Sequence, residues 1–145
     1  MNTVARKKPK IDPARSAQMA LVRGKDTKPE IIVRALVDQL GIRYHRHIIH
    51  LPGQPDLCFL RRKKAIFVHG CFWHQHQNLT CWRSRTPKTR QEFWIPKLKA
   101  NQIRDRRQIR ELRKVGWKSL VVWECQTIKS KQLLLKKRIQ RFLAS

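Results

Sequence analysis

Residues 69–81 concentrate the side chains that are best able to bind a metal ion. They read HGCFWHQHQNLTC, with three histidines and two cysteines in 13 residues. Cys71, His76 and Cys81 can chelate one ion from a single loop. Cys125 can complete a tetrahedron from the end of a predicted strand. Three thiolates and one imidazole are a common structural zinc set, and thiolate softness favours zinc over magnesium. The alternative is buried cysteines and stacked histidines.

Two histidines of the same stretch, His69 and His74, remain once the zinc set is filled. A loop held by zinc presents an imidazole in fixed geometry. Imidazole is also the side chain best suited to proton transfer near neutral pH. His74 is therefore a candidate general base, with packing or phosphate binding as its alternative role.

Acidic residues are scarce, nine against 34 Lys and Arg, so each carboxylate calls for an explanation. Asp56 follows a Pro-Gly-Gln-Pro turn and starts a predicted strand, where it can hold magnesium against a phosphate. A turn-capping aspartate is the alternative. Glu30 is spaced for a capping box with Thr27, and it can also reach a metal-bound water. The spacing leaves both roles of Glu30 open.

Aromatic residues next to basic ones indicate a surface that contacts bases. Phe72 and Trp73 lie between predicted zinc ligands, and Trp82 and Trp94 follow nearby in sequence. Exposed rings beside arginine stack on bases or wedge into a duplex step. Core packing is the alternative, and it is favoured for Trp117 and Trp123 on a predicted buried strand.

The formal net charge of +25 predicts a polyanionic partner. Neutralised phosphates release counterions, so the charge favours nucleic acid over an anionic membrane surface. No apolar run approaches the ~20 residues of a membrane span, and the N-terminus lacks the apolar segment of a secretory signal. We therefore expect a cytoplasmic, monomeric protein in a reducing compartment, where a disulfide framework is a poor expectation.

The elements that must position these side chains follow the order α-α-β-β-β-α-β-α. The sequence predicts helices over 15–22, 27–40, 92–115 and 130–143, and strands over 42–49, 56–60, 64–69 and 117–124. A mixed central β-sheet flanked by helices in one α/β domain fits this order. Residues 1–14 are predicted to be a basic arm that is flexible without DNA, and residues 15–145 the domain.

The long helix over 92–115 has a predicted buried stripe of Ile103, Ile109 and Leu112, joined by Leu98. Pro96 lies inside this helix or marks its first turn.

Several motifs together resemble the very short patch repair (Vsr) DNA mismatch endonucleases. The matching segments are RSAQM (15–19), the helix with Glu30, LPGQPDL (51–57), AIFVHGCFWHQH (65–76), TPKTRQEFW (86–94), NQIRDRR (101–107) and GWKSLVVWEC (116–125). They span most of the chain in the family's order. The resemblance implies a restriction-endonuclease-like fold with a structural zinc. It also implies an enzyme that nicks one strand 5′ to the thymine of a T:G mismatch left by deamination of 5-methylcytosine.

The resemblance also assigns roles residue by residue. It makes Asp56 the magnesium ligand and His74 the general base, with Glu30 and His69 beside them. It implies zinc ligation by four residues: Cys71, His76, Cys81 and Cys125. It implies DNA contacts by Met19, Phe72, Trp73, Trp94, Asn101 and Asp105. The implied cofactors are Mg²⁺ and Zn²⁺, and the implied partner is mismatched double-stranded DNA, with mismatch-repair proteins as candidate partners.

The chain departs from the family pattern in three places. Val68 stands where the best-known member has threonine, and the spacing from His76 to Cys81 is wider than in that member. No Glu-x-Lys motif follows Asp56, unlike in most restriction-type nucleases. In the Vsr family, the histidine performs the role of that motif. Two other functions stay open: a non-catalytic zinc-stabilised DNA-binding module, and a Vsr-like nuclease that acts on another DNA lesion.

Overall fold

The computed structural model describes residues 26–78 and 80–145. Its helices are α1 (Lys28–Gln39), α2 (Gln91–Lys114) and α3 (Gln132–Ala144), and its strands are β1 (Leu57–Phe59), β2 (Lys64–His69) and β3 (Lys118–Trp123). The predicted basic arm, the helix over 15–22 and Met19 lie outside the described residues. Within the described residues, no helix is long and apolar enough to cross a membrane.

The strands form one mixed sheet in the order β1-β2-β3. β1 and β2 are an antiparallel hairpin in which Leu57 lies opposite Ile66. β2 and β3 run parallel, with His69 opposite Trp123. The crossover between the parallel strands contains α2, as a parallel pair requires. The predicted mixed α/β class is therefore confirmed, whereas the relation to restriction endonucleases stays a prediction.

The predicted strand over 42–49 is wrong. In the part of the chain that the structure describes, this segment contributes a single bridge, between His45 and Cys58. The backbone at His47 has a φ of 51°, in the left-handed region, so the chain cannot continue along β1 as a strand. The His47 ring instead approaches Glu30 of α1, with 3.2 Å between Nε2 and Oε1. Alternating apolar residues cannot reveal such a break.

The sheet is buried on both faces, because its side chains alternate between two apolar cores. Leu57, Ile66 and Val122 face α1 and α3. Ala65 and Phe67 point the other way, into the core that contains Leu112 of α2 and Trp117. Helices therefore cover both faces of the sheet, as predicted, and the ends of β1 and β2 stay between them.

α2 begins one residue before its predicted start, and Pro96 lies in its second turn, inside the helix. Leu98 and Leu112 are buried as predicted, but Ile103 is 56% exposed. Residues nine positions apart lie about 180° apart around a helix, so Ile103 and Leu112 occupy opposite faces. The prediction that Ile103 belongs to the buried stripe is therefore wrong.

Candidate active site and metal centre

Asp56 lies just before β1, where the ladder between β1 and β2 ends. Its Oδ2 accepts a hydrogen bond of 2.6 Å from the backbone N–H of Val68. This side-chain bond links the two segments just beyond the last backbone pair of the ladder, Leu57 with Ile66. The bond links Asp56 to a neighbouring strand, which argues against the turn-capping alternative. Burial raises the pKa of Asp56 to about 6, although the Val68 hydrogen bond opposes this effect.

The turn before Asp56 is fixed by its glycine. The Gln54 N–H donates to the Leu51 carbonyl at 3.1 Å, and Gly53 has a φ of 76°. Pro at the second and Gly at the third position of a turn are typical of type II. A Cβ atom at Gly53 would lie 3.0 Å from Phe67 and from Gln108. Glycine thus lets the turn pack closely between β2 and α2, and this packing sets the position of Asp56.

Glu30 is buried beside Asp56 and does not form the predicted capping box. Among the described residues, the Thr27 side chain caps no backbone N–H, and Glu30 Oε2 accepts from the Asp26 N–H at 3.2 Å. The Glu30 side chain is 4% exposed, and its Oε1 is 3.2 Å from His47 Nε2. The ligand atoms of Glu30, His47 and Asp56 all lie within 4.8 Å of one another. Of the two roles left open, the structure favours the one near a metal.

The residues around Asp56 fit a divalent cation. Glu30 Oε1 and His47 Nε2 are buried, and neither has a hydrogen-bond partner in the part of the chain that the structure describes. Buried polar atoms are normally paired, so two such atoms facing each other beside a carboxylate need a ligand. Carboxylate oxygens are the ligands that magnesium prefers.

His74 is held by two neighbours at the other side of the same cleft. Its Nδ1 is 2.5 Å from Asp105 Oδ2, and its ring stacks on His69 with 3.9 Å between centroids. Because a carboxylate oxygen accepts hydrogen bonds, this contact favours the tautomer with the proton on Nδ1, which leaves the lone pair on Nε2. Burial and the nearby His74 lower the pKa of His69 to about 3, which keeps His69 uncharged.

Asp56 and His74 line one open cleft of about 560 Å³. Asp56, His69, His74 and Asp105 line it together with Arg104 and Gln108. A carboxylate that can hold a cation, an imidazole with a free nitrogen and a guanidinium therefore face the same space. These are the parts needed to bind a phosphate group and activate a water molecule.

The predicted zinc ligands converge behind His74. The ligand atoms of Cys71, His76, Cys81 and Cys125 lie within 4.8 Å of one another. His76 Nδ1 is 3.8 Å from Cys71 Sγ and 3.4 Å from Cys125 Sγ. A tetrahedral zinc ion with bonds of about 2.3 Å to sulfur and about 2.0 Å to nitrogen places these atoms about 3.5 Å apart. The wider spacing before Cys81 does not prevent it from joining the cluster.

Burial favours the protonated, uncharged form of two thiols in the cluster, Cys71 and Cys125. Burial raises the pKa of Cys71 to about 12, so this thiol stays protonated when no metal is present. Burial also raises the pKa of Cys125. A bound cation reverses the balance, because a coordinated thiol loses its proton. The donor set therefore fits zinc.

One face of α2 fixes the loop that contains His74. The Asn101 side chain donates to the Trp73 carbonyl at 3.1 Å, and the Gln102 side chain donates to the Gln75 carbonyl at 3.4 Å. Asp105, one turn further on, accepts from His74. Asn101 and Asp105, which the family resemblance associates with DNA, thus make contacts that position the loop.

The three aromatic residues assigned to the mismatch form one cluster at the start of α2. Phe72 and Trp73 rings are 5.1 Å apart, and Trp94 lies 5.3 Å from Phe72 and 5.8 Å from Trp73. All three are partly exposed. The cluster therefore presents ring surface to solvent beside the cleft instead of filling a core.

Comparisons with known proteins show which family the chain is similar to. The sequence model of a family described as "DNA mismatch endonuclease Vsr" matches residues 10–80. The chain is 44% identical over 108 residues to the type II nicking enzyme V.XorIIP of Xanthomonas oryzae, covering 74% of this chain and 77% of that protein. It is 40% identical over 111 residues to the DNA mismatch endonuclease Vsr of Escherichia coli, covering 77% and 69%. The chain belongs to the Vsr family.

A further relative extends the match along the chain. The type II nicking enzyme V.NmeAIP of Neisseria meningitidis is 36% identical over 129 residues, which is 89% of each chain. The match to this relative covers most of the chain, and the family is one of DNA endonucleases.

Sequence reasoning missed His47 and Phe93, whereas it had already grouped Trp82 with the aromatics that lie beside arginine. His47 was included in a predicted strand, and only the backbone shows that its ring reaches Glu30. Trp82 is 63% exposed under the Arg83 guanidinium, and Phe93 is 44% exposed under Arg90. The nearby Arg90 was the signal in the sequence that could have identified Phe93.

Proposed function

We propose that this protein is a magnesium-dependent DNA repair endonuclease that nicks one strand 5′ to the thymine of a T:G mismatch. The observation that carries the proposal is the shared cleft, in which His74, oriented by Asp105, faces the partly buried Asp56 carboxylate. The formal net charge of +25 supports a DNA substrate. The relatives named above are bacterial, and we propose a cytoplasmic location on the nucleoid.

The chain's own residues perform hydrolysis in a defined order. His74 takes a proton from the attacking water at Nε2, and Asp105 stabilises the imidazolium that forms. His69 stays neutral and holds the His74 ring by stacking. Arg104, which lines the cleft, binds the phosphate. When bound at Asp56 with Glu30 beside it, magnesium supplies positive charge that neutralises the phosphate and stabilises the leaving oxygen.

Zinc at Cys71, His76, Cys81 and Cys125 has a structural role in this proposal. Three of these residues belong to the loop that contains His74, and Cys125 follows β3. The ion thereby ties the loop to the sheet, and the imidazole cannot move away from the cleft. Full ligation by the protein also closes the ion to water, as in structural zinc sites.

Mismatch recognition rests on the aromatic cluster of Phe72, Trp73 and Trp94. A wobble pair stacks poorly, so inserting rings next to it costs less than at a matched pair. The exposed Phe93 and Trp82, each with a cationic side chain over its ring, extend this surface for contact with DNA. We propose that Met19 enters from the opposite side, as the family resemblance implies.

A strand-nicking assay tests this function. The substrate is an end-labelled duplex with one T:G pair in several flanking contexts, with magnesium present. Controls are the matched duplex and Asp56→Asn protein. We expect a nick immediately 5′ to the mismatched thymine, absent from both controls. Tight binding of the mismatch without a nick in any context would favour the non-catalytic DNA-binding module, and nicking at another lesion alone would reassign the substrate.

A further inference from the structure

Three polar side chains, one of them Asp56, come together from distant parts of the chain. Glu30 comes from α1, His47 from the segment before the type II turn, and Asp56 from the start of β1. Their ligand atoms all lie within 4.8 Å of one another, so a single ion between them can reach all three. The cluster is separate from the thiol cluster and differs from it in chemistry.

Two atoms of this cluster are buried with no hydrogen-bond partner, although they lie within ion-pair distance of each other. Glu30 Oε1 and His47 Nε2 are 3.2 Å apart, yet neither makes a hydrogen bond among the residues described. The Glu30 side chain is 4% exposed, so bulk water has little access to it. Two ligands at right angles around a small divalent cation, at about 2.1 Å, lie about 3 Å apart. The distance between Glu30 Oε1 and His47 Nε2 therefore matches that between two ligands of one ion.

The backbone holds His47 in an uncommon conformation that points its ring inward. Its φ of 51° is unusual for a residue other than glycine. Two neighbouring histidines, His45 and His50, are exposed. The chain thus places one of three nearby imidazoles beside the carboxylates.

We infer that Glu30, His47 and Asp56 form one divalent-cation site, in which the His47 imidazole makes the site bind Mn²⁺ more tightly than Mg²⁺. Imidazole nitrogen suits first-row transition metals, whereas magnesium prefers carboxylates, carbonyls and water. A site made of carboxylates alone does not favour manganese in this way. The inference rests on the proposed function only in taking Asp56 as the metal-binding carboxylate.

Calorimetric titration with Mn²⁺ and with Mg²⁺, on zinc-containing protein without DNA, tests the inference. We expect wild-type protein to bind Mn²⁺ at least about tenfold more tightly than Mg²⁺. His47→Asn should lose most of this preference and little Mg²⁺ affinity. Asparagine tolerates a positive φ, so the backbone is preserved. His50→Asn, at an exposed histidine of the same segment, is the matched control and should behave as wild type.

Electron spin echo measurements on bound Mn²⁺ provide a second readout. Nitrogen modulation should be present in wild type and in His50→Asn, and reduced in His47→Asn. Equal Mn²⁺ and Mg²⁺ affinities in wild type, or an unchanged affinity ratio in His47→Asn, would overturn the inference. If His47→Asn fails to fold, absence of nitrogen modulation from wild type would overturn it as well. Because no DNA is present, a protein that binds Mn²⁺ as expected but nicks nothing would refute the proposed function alone.

Discussion

The thiol cluster and the carboxylate cluster of Glu30, His47 and Asp56 differ in how the chain builds them. The thiol cluster takes three of its ligands, Cys71, His76 and Cys81, from one loop, and all four of its ligands come from the protein. The carboxylate cluster takes its ligands from three separate segments, and it adjoins an open cleft through Asp56. A closed set of soft ligands suits a structural ion, and an open set of harder ligands suits an ion that meets substrate.

This difference predicts that the two clusters fail in different ways. Damage to the thiol cluster should affect folding, because zinc binding is coupled to folding. Damage to the carboxylate cluster should affect nicking while the fold persists. The predictions below test this division from the largest expected effect to the smallest.

Cys125→Ser should have the largest effect on stability. We expect loss of zinc and a decrease of more than about 4 kcal/mol in the free energy of unfolding, because a structural metal is lost. Metal analysis and thermal unfolding measure both. Cys58→Ala is the matched control, because Cys58 is a buried thiol outside the cluster. We expect the Cys58→Ala protein to keep its zinc. Unchanged zinc content in Cys125→Ser would remove it from the ligand set.

His74→Gln should reduce the nicking rate by about 10²- to 10⁴-fold, the usual contribution of a general base. The amide cannot take a proton from water, but it preserves much of the shape of the loop. Single-turnover nicking of the T:G duplex measures the rate, and mismatch affinity should be retained. His45→Gln, at an exposed histidine, is the control. A rate within a few fold of wild type would exclude His74 as the base.

Asp56→Asn should abolish nicking and yet stabilise the protein when no divalent cation other than zinc is present. The pKa of Asp56 is raised to about 6 by burial, so the native state binds this proton more tightly than the unfolded state. Wild-type stability therefore decreases as the pH rises from about 4 to about 6, by up to about 3 kcal/mol. The amide still accepts from the Val68 N–H but carries no charge.

Chemical denaturation of wild type and Asp56→Asn at pH 4.5 and pH 7.5 measures this effect. We expect the stability advantage of the variant over wild type to be clearly larger at the higher pH. If Asp56→Asn lowers stability at both values, the carboxylate stabilises the fold and the division between the clusters is lost.

Trp73→Ala should have a smaller effect, confined to discrimination. We expect about a tenfold decrease in the preference for T:G over matched duplex, in keeping with about 1–3 kcal/mol for ring–base stacking. Competition binding with the two duplexes measures the preference. Equal losses of affinity for both would show that the ring contributes general contact and not the wedge.

The sequence predicted the thiol cluster well because its ligands are chemically distinctive and three of them lie close together along the chain. It also predicted α1, β2, α2, β3 and α3, since long apolar runs and helical periodicity determine these elements. It failed where the outcome depends on one backbone angle. The left-handed backbone at His47 interrupts the predicted strand over 42–49. The same residue completes the carboxylate cluster.

Glu30 illustrates the same limit in a different way. Its spacing from Thr27 fits a capping box, and only the packing of α1 against the segment around His47 shows that the carboxylate is buried beside Asp56. Ile103 was wrongly assigned to the buried stripe because the prediction relied on its apolar side chain and not on its position around the helix. Local patterns therefore identify which residue types can act, and tertiary packing decides which of them meet.

The most direct test of the central claim is nicking of one T:G duplex by zinc-loaded wild type and Asp56→Asn, each with and without added magnesium. The account predicts a single nick 5′ to the mismatched thymine in wild type with magnesium, and none in the other three reactions. Nicking by wild type without magnesium, or by Asp56→Asn with it, would contradict the assignment of catalysis to the carboxylate cluster.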